Sequence, residues 1–291
     1  MARTAKKTTA KKTTKKTAGA KSSAKSVSKQ APAAKNNEGM VTLEKLYKFN
    51  LFSTIVNLAF AVLSVLFVSR NTVDFTLAHA TKDALSGSSA MGPAYKILAT
   101  VEIRYLMAFI FVLGAIFSLL LATKLRKNYE AGVKGSAAGW RWASMGITLG
   151  LILELATILG GIGDIFTLKL VGTLTFTAAI LAWLNEKQNK GTKKQYAVFA
   201  LGVFTGFAAW VPLAGSLLGT ALYGAANFSW YVYTLAVLVL IGSLSIGLNQ
   251  YRHARDGVTA KGYLQLEGKY LSTDFLVKLA VFAVLLIALH K

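Results

Sequence analysis

Seven apolar runs set the terms for this 291-residue chain, at roughly 49–69, 105–123, 142–162, 165–184, 196–219, 228–249 and 271–290. Each is about 20 residues long, the length at which a helix crosses the roughly 30 Å hydrocarbon core of a bilayer. With no water in that core, backbone N–H and C=O groups must find partners within the protein, and a helix satisfies them segment by segment. The runs predict an all-α membrane protein built as a bundle of seven transmembrane helices. At 54% apolar and 15% charged residues, the chain is too apolar for a soluble domain. The odd count puts the termini on opposite sides. The shortest connections, Gly160-Gly-Ile-Gly163 with Asp164 and the stretch 219–227, predict antiparallel pairing of runs 3 with 4 and 5 with 6. The longest connection, 70–102, has room for a small ordered excursion.

Charges inside such runs are costly, so the few present are candidates for chemistry. The last run carries Asp274 and Lys278, four residues apart and so on one helical face. Two readings stay open on these residues: a structural ion pair within the bundle, or a lysine whose amine carries a covalent group as a Schiff base with Asp274 as counter-ion. Glu154 in the third run and Lys169 in the fourth lie at similar distances from the turn between them, which predicts a salt bridge; a proton donor or gate is the sharper reading of Glu154. Glu102 and Arg104 fall at the start of the second run, at the outer interface. The histidines, His79, His253 and His290, fall in loops or at the terminus, and cysteine is absent. With no nucleophile elbow, phosphate loop or metal-ligand spacing, the chain does not read as an enzyme. Tyr196, Trp230, Tyr231 and Tyr233 sit near run ends, as an interfacial aromatic belt requires.

Residues 1–40 form a separate region, built from Lys, Thr, Ala and Ser. It carries eleven Lys or Arg against Glu38 alone, a net of +10. Such a segment has nothing to pack into a core and is expected to be a disordered tail, with 41–291 as the membrane domain. It reads as a solvated tail that fixes orientation, with attraction to anionic lipid or nucleic acid as the alternative. The loops on the tail's side hold most of the remaining Lys and Arg, among them Lys124, Arg126, Lys127, Lys134, Arg141, Lys187, Arg252, Arg255, Lys261 and Lys269. The positive-inside rule then places the N-terminus in the cytoplasm and the C-terminus outside a cell membrane.

Seven spans, an inside N-terminus, a long first external connection and a lysine in the middle of the seventh run together resemble the heliorhodopsins, retinal proteins of inverted topology. The Arg141-Trp142 pair, the Gly161-Ile-Gly-Asp-Ile165 turn, Trp183-Leu-Asn-Glu-Lys187, Gln250-Tyr251, and the spacing from Tyr270 to Lys278 are similar to that family's pattern. The resemblance covers about residues 45–291. It implies a rhodopsin-like bundle with all-trans retinal on Lys278, in a pocket that includes Ser144, Met145, Thr148 and Trp210. The family's counter-ion Glu in the third span falls on Ser144 here, and Asp274 takes over that charge from one turn before the lysine. Two histidines of the family's inner polar cavity fall on Asn57 and near Ser118. The middle of the sixth run, 238–245, has no aromatic residue, so aromatic walls would come from Trp210, Phe204 and Phe207, or from Trp183 and Phe176, each of which also reads as an ordinary lipid-facing or packing aromatic. The implied function is light sensing by signalling. Light-driven or light-gated proton transport through Asp274 and Glu154 is the alternative, and a retinal-free structural membrane protein the third. A homodimer and a cytoplasmic signalling partner complete the expected associations.

Overall fold

The computed structural model describes residues 41–79, 94–189, 195–224 and 226–290. The expected tail, 1–40, lies outside them. The elements are α1 (Leu43–Phe67), β1 (Thr72–His79), β2 (Ala94–Glu102), α2 (Ile103–Ala122), α3 (Arg126–Lys134), α4 (Gly139–Leu159), α5 (Ile165–Gln188), α6 (Ala197–Tyr223), α7 (Trp230–Asp256) and α8 (Ala260–Ala288). Seven of these helices, all but α3, are long and apolar enough to cross a membrane.

Helix starts follow local chemistry. Thr42, Asp164 and Thr259 each accept a backbone N–H three residues on, satisfying one of the donors a helix N-terminus leaves open. Helix ends differ from the apolar runs at one place. The sixth and seventh runs stop at about 249 and begin again at about 271, yet α7 continues to Asp256 and α8 already starts at Ala260. The intervening residues are polar because they bury polar side chains inside the bundle, not because they form a loop. The connection shrinks to Gly257–Thr259, with Gly257 at φ 64°, a left-handed conformation suited to glycine. His253 accordingly lies within α7 and is fully buried, contrary to its expected place in a loop.

The pair α4 and α5 packs along its length, and α5 packs on α6, while α6 and α7 meet only sparingly. Helices α1 and α2 join where buried Ser53 and Asn57 of α1 meet Ser118 and Gly114 of α2. Small and weakly polar residues let helices approach closely in lipid, where apolar area alone gives no net attraction. Near the far end of the bundle Phe60 stacks on Phe282 at 4.2 Å, and both meet Phe111 edge-on.

The connection between α1 and α2 does hold an ordered excursion. Strands β1 and β2 form an antiparallel hairpin, Thr72 opposite Glu102 and His79 opposite Ala94, with an irregularity at Phe75/Thr76. It docks on the α4–α5 turn: Thr76 N–H donates to Gly163 O at 2.8 Å and Ala78 N–H to Asp164 Oδ1 at 3.2 Å. A Cβ at Gly163 would collide with the Asp74 carbonyl, so this approach requires glycine. Asp164 thus serves two elements. Burial raises its pKa, but the Thr167 N–H and hydroxyl and the Ala78 N–H outweigh this and hold it below its ordinary value.

Candidate functional site

The middle of α8 brings Asp274 and Lys278 together as the sequence predicts. Lys278 Nζ lies 2.6 Å from Asp274 Oδ2, with 2% and 9% of the two residues exposed. One turn of helix sets this geometry, since side chains at i and i+4 share a face. Val277, Val281 and Phe282 on the same helix are buried as well. Burying two charges costs several kcal/mol per ion, so their attraction needs good geometry and satisfied lone pairs. Asp274 Oδ1 has no partner among the described residues, so the pair is not a closed structural bridge.

A cavity of about 380 Å³ lies between α4, α5, α6 and α7, within the usual size of small-molecule pockets. Its wall is almost wholly apolar and includes Trp142, Met145, Phe199, Phe207, Trp210 and Tyr251. Lys278 and Asp274 are not part of that wall, and Tyr270 connects the two. Its ring meets Trp142 edge-on at 5.2 Å, and it stands one turn before Asp274. A buried amine, a carboxylate oxygen lacking a partner among the described residues and a nearby apolar cavity fit retinal, an apolar polyene aldehyde that condenses with a lysine and leaves a buried cation to be balanced.

Of the other expected pocket residues, Met145 and Trp210 line the cavity. Ser144 and Thr148 are buried on α4 but do not line it, and the Thr148 hydroxyl turns to Ser144 O at 3.1 Å on its own helix. Of the expected aromatic walls, Phe207 joins Trp210. Phe204 is exposed, Trp183 lies beneath Lys187, and Phe176 packs against Gly146, so none of these three is part of the wall. Trp142, Phe199 and Tyr251 take their place. The aromatic-free centre of α7 contributes Val239, Leu240, Ser243 and Leu244.

Asn57 and Ser118, where the family's polar cavity was expected, do converge. The Asn57 amide donates to Ser53 O at 2.7 Å and to Ser53 Oγ at 3.0 Å, and Ser118 Oγ donates to Ser53 Oγ at 3.3 Å. Glu154 pairs with Lys169 at 2.8 Å. Its carboxylate lies across Gly172, where a Cβ would collide with Glu154 Oε1, so the α4–α5 contact has been shaped around this acid. Glu102 and Arg104 also form an ion pair.

The largest polar feature was not foreseen as a site. Arg141 is fully buried, its guanidinium over the rings of both Trp142 and Tyr270, at 4.1 and 4.2 Å. It donates from Nε to Glu267 Oε2 at 2.7 Å and from an amino group to Glu186 Oε1 at 2.8 Å. Each remaining carboxylate oxygen also accepts a donor: Glu267 Oε1 from Tyr129 at 2.8 Å, Glu186 Oε2 from Tyr263 at 2.7 Å. Gln250 donates to Glu186 Oε1 and Tyr270 Oη, and His253 stands edge-on to Tyr263. Burial, with the neighbouring Glu267 carboxylate, pushes the Tyr129 phenol well above its ordinary pKa, which keeps it a donor. Two acids against one guanidinium leave one negative charge in excess if both are ionised. Glu186 was visible only as a motif letter, and Arg141, counted from the sequence among the loop charges, is instead fully buried within α4. The available signal was spacing: Glu267, Tyr270, Asp274 and Lys278 recur at helical intervals on one face of α8.

No curated protein matches the chain. Residues 46–285 match the Heliorhodopsin family model, and on that match, which spans most of its length, the chain belongs to the heliorhodopsin family.

Proposed function

We propose that, within this family of retinal-binding rhodopsin-type photoreceptors, the chain is a light sensor that signals instead of pumping. All-trans retinal is held as a protonated Schiff base on Lys278 Nζ, with Asp274 as counter-ion. The N-terminus is cytoplasmic. The observation that carries this reading is the buried 2.6 Å contact between Lys278 and Asp274, linked through Tyr270 and Trp142 to an apolar cavity of about 380 Å³. When bound, retinal supplies light absorption and a change of shape. The chain's own residues do the rest: Asp274 balances the charge at Lys278 Nζ and stands within range to take its proton, while the buried Trp142 ring closes the wall next to Tyr270. Signalling is favoured over proton transport because Glu154, the obvious second carboxylate, is engaged by Lys169.

The test is the absorption spectrum of protein purified with all-trans retinal. A visible band that Lys278→Ala abolishes is the expected result. A red-shifted, bleachable retinal band in Lys278→Ala protein would remove the assignment.

A further inference from the structure

The short helix α3, between the second and third spans, has little reason to be helical on its own. It has nine residues, lacks a side-chain N-cap, and opens with Arg126 and Lys127 against the positive end of the helix dipole. Gly132 in its interior weakens it further. What holds it is docking: Tyr129 and Val133 are buried in the bundle. Arg126 lies over the Tyr47 ring at 4.2 Å near the surface. From α3 into the interior Tyr129 Oη donates to Glu267 Oε1 at 2.8 Å, with buried Asn50 of α1 also against the phenol.

Glu267 shares α8 with Lys278, eleven residues or about 16 Å away along the axis. The residues between them are coupled. Asp274 touches Lys278, Tyr270 touches the cavity wall at Trp142 and stacks on Arg141, and Arg141 holds the other oxygen of Glu267. One stripe of α8 therefore runs from the light-absorbing end to the foot of α3.

We propose that Tyr129 is a latch that holds α3 in the dark and that light opens it, making α3 the cytoplasmic output element. This rests on the photoreceptor reading above. Transfer of a proton from Lys278 Nζ to Asp274 breaks an N–H bond, forms an O–H bond and removes a buried charge pair. The hydrogen bonds of the Arg141 cluster then sit in a changed field, and α8 links Lys278 to Glu267 along one face. With the latch open, a helix this weak frays.

Hydrogen exchange over residues 126–134, read by mass spectrometry on full-length retinal-loaded protein with the visible band recorded on the same samples, tests this. Light should speed exchange there about tenfold or more, the factor for losing a hydrogen bond to a charged acceptor, while β1 stays unchanged. Tyr129→Phe should keep the dark visible band, exchange at the fast rate already in the dark, and respond no further to light. A normal band with equal light and dark exchange in the unmutated protein overturns the latch and leaves the photoreceptor reading standing. So does slow dark exchange in Tyr129→Phe. Absence of any visible band overturns both. The light–dark comparison needs no variant, so a Tyr129→Phe protein that fails to fold does not shield the proposal.

Discussion

At the scale of single residues, the site is defined by charges that have been taken out of water. Asp274→Asn leaves the cation at Lys278 without its carboxylate, and desolvation disfavours an unpartnered charged form. The expected result is loss of the Schiff-base proton at neutral pH, seen as a shift of the visible band to the near-ultraviolet and partly reversed by added chloride. An unchanged band in Asp274→Asn, with a shift in Glu154→Gln, would place the counter-ion on α4. Arg141 behaves differently. Every oxygen of Glu186 and Glu267 accepts a donor in the present arrangement, so Arg141→Gln strands two fully buried carboxylates. Breaking such a buried network from one side costs about 3–5 kcal/mol. Thermal loss of the visible band should fall to much lower temperature in Arg141→Gln than in Lys169→Gln, whose lysine is 59% exposed.

Among the elements, the hairpin and α5 depend on one carboxylate. Asp164 caps α5 through Thr167 and receives Ala78 N–H from β1. Its pKa is lowered in the folded chain, so its stabilising contribution is present above the ordinary aspartate value and disappears as pH falls through the lower folded value. Exchange at the Ala78 amide should therefore stay slow at neutral pH and accelerate only below about pH 4. Asp164→Ala should make it fast at neutral pH and cost the cap, about 1 kcal/mol. Slow exchange at Ala78 in Asp164→Ala would show that Thr76 and Gly163 hold the hairpin by themselves.

For the whole molecule, the proposed topology puts the basic tail and α3 on one side of the membrane and the hairpin on the other. Deleting residues 1–40 should leave the visible band intact. It should also remove salt-dependent binding to anionic vesicles, where each Lys near the surface contributes about 1 kcal/mol and the attraction fades within a Debye length. Equal binding by full-length and shortened protein at low salt would refute that role, and binding to nucleic acid but not vesicles would reassign the partner. A steady photocurrent from illuminated cells, lost in Glu154→Gln, would replace signalling by transport.

The seven spans, the i, i+4 relation of Asp274 to Lys278 and the Glu154–Lys169 pair were all legible in the sequence. Each depends on local periodicity or on distance from a turn, and helical geometry converts both directly into space. The cavity wall was only half legible: Trp210 and Phe207 line it, while Phe204, on the same helix, does not. Hydrophobicity cannot separate a lipid-facing aromatic from a pocket-facing one, because both surroundings are apolar. The ends of α7 and α8 were misread for the opposite reason, since polar residues there looked like a loop. Only the tertiary structure shows Arg141 collecting Glu186, Glu267 and, through Glu267, Tyr129 from three other helices. That cluster is long-range, with Tyr129 and Glu267 separated by 138 positions. A buried charge network is decided by which helices pack together, and a single sequence carries no local signal for that choice.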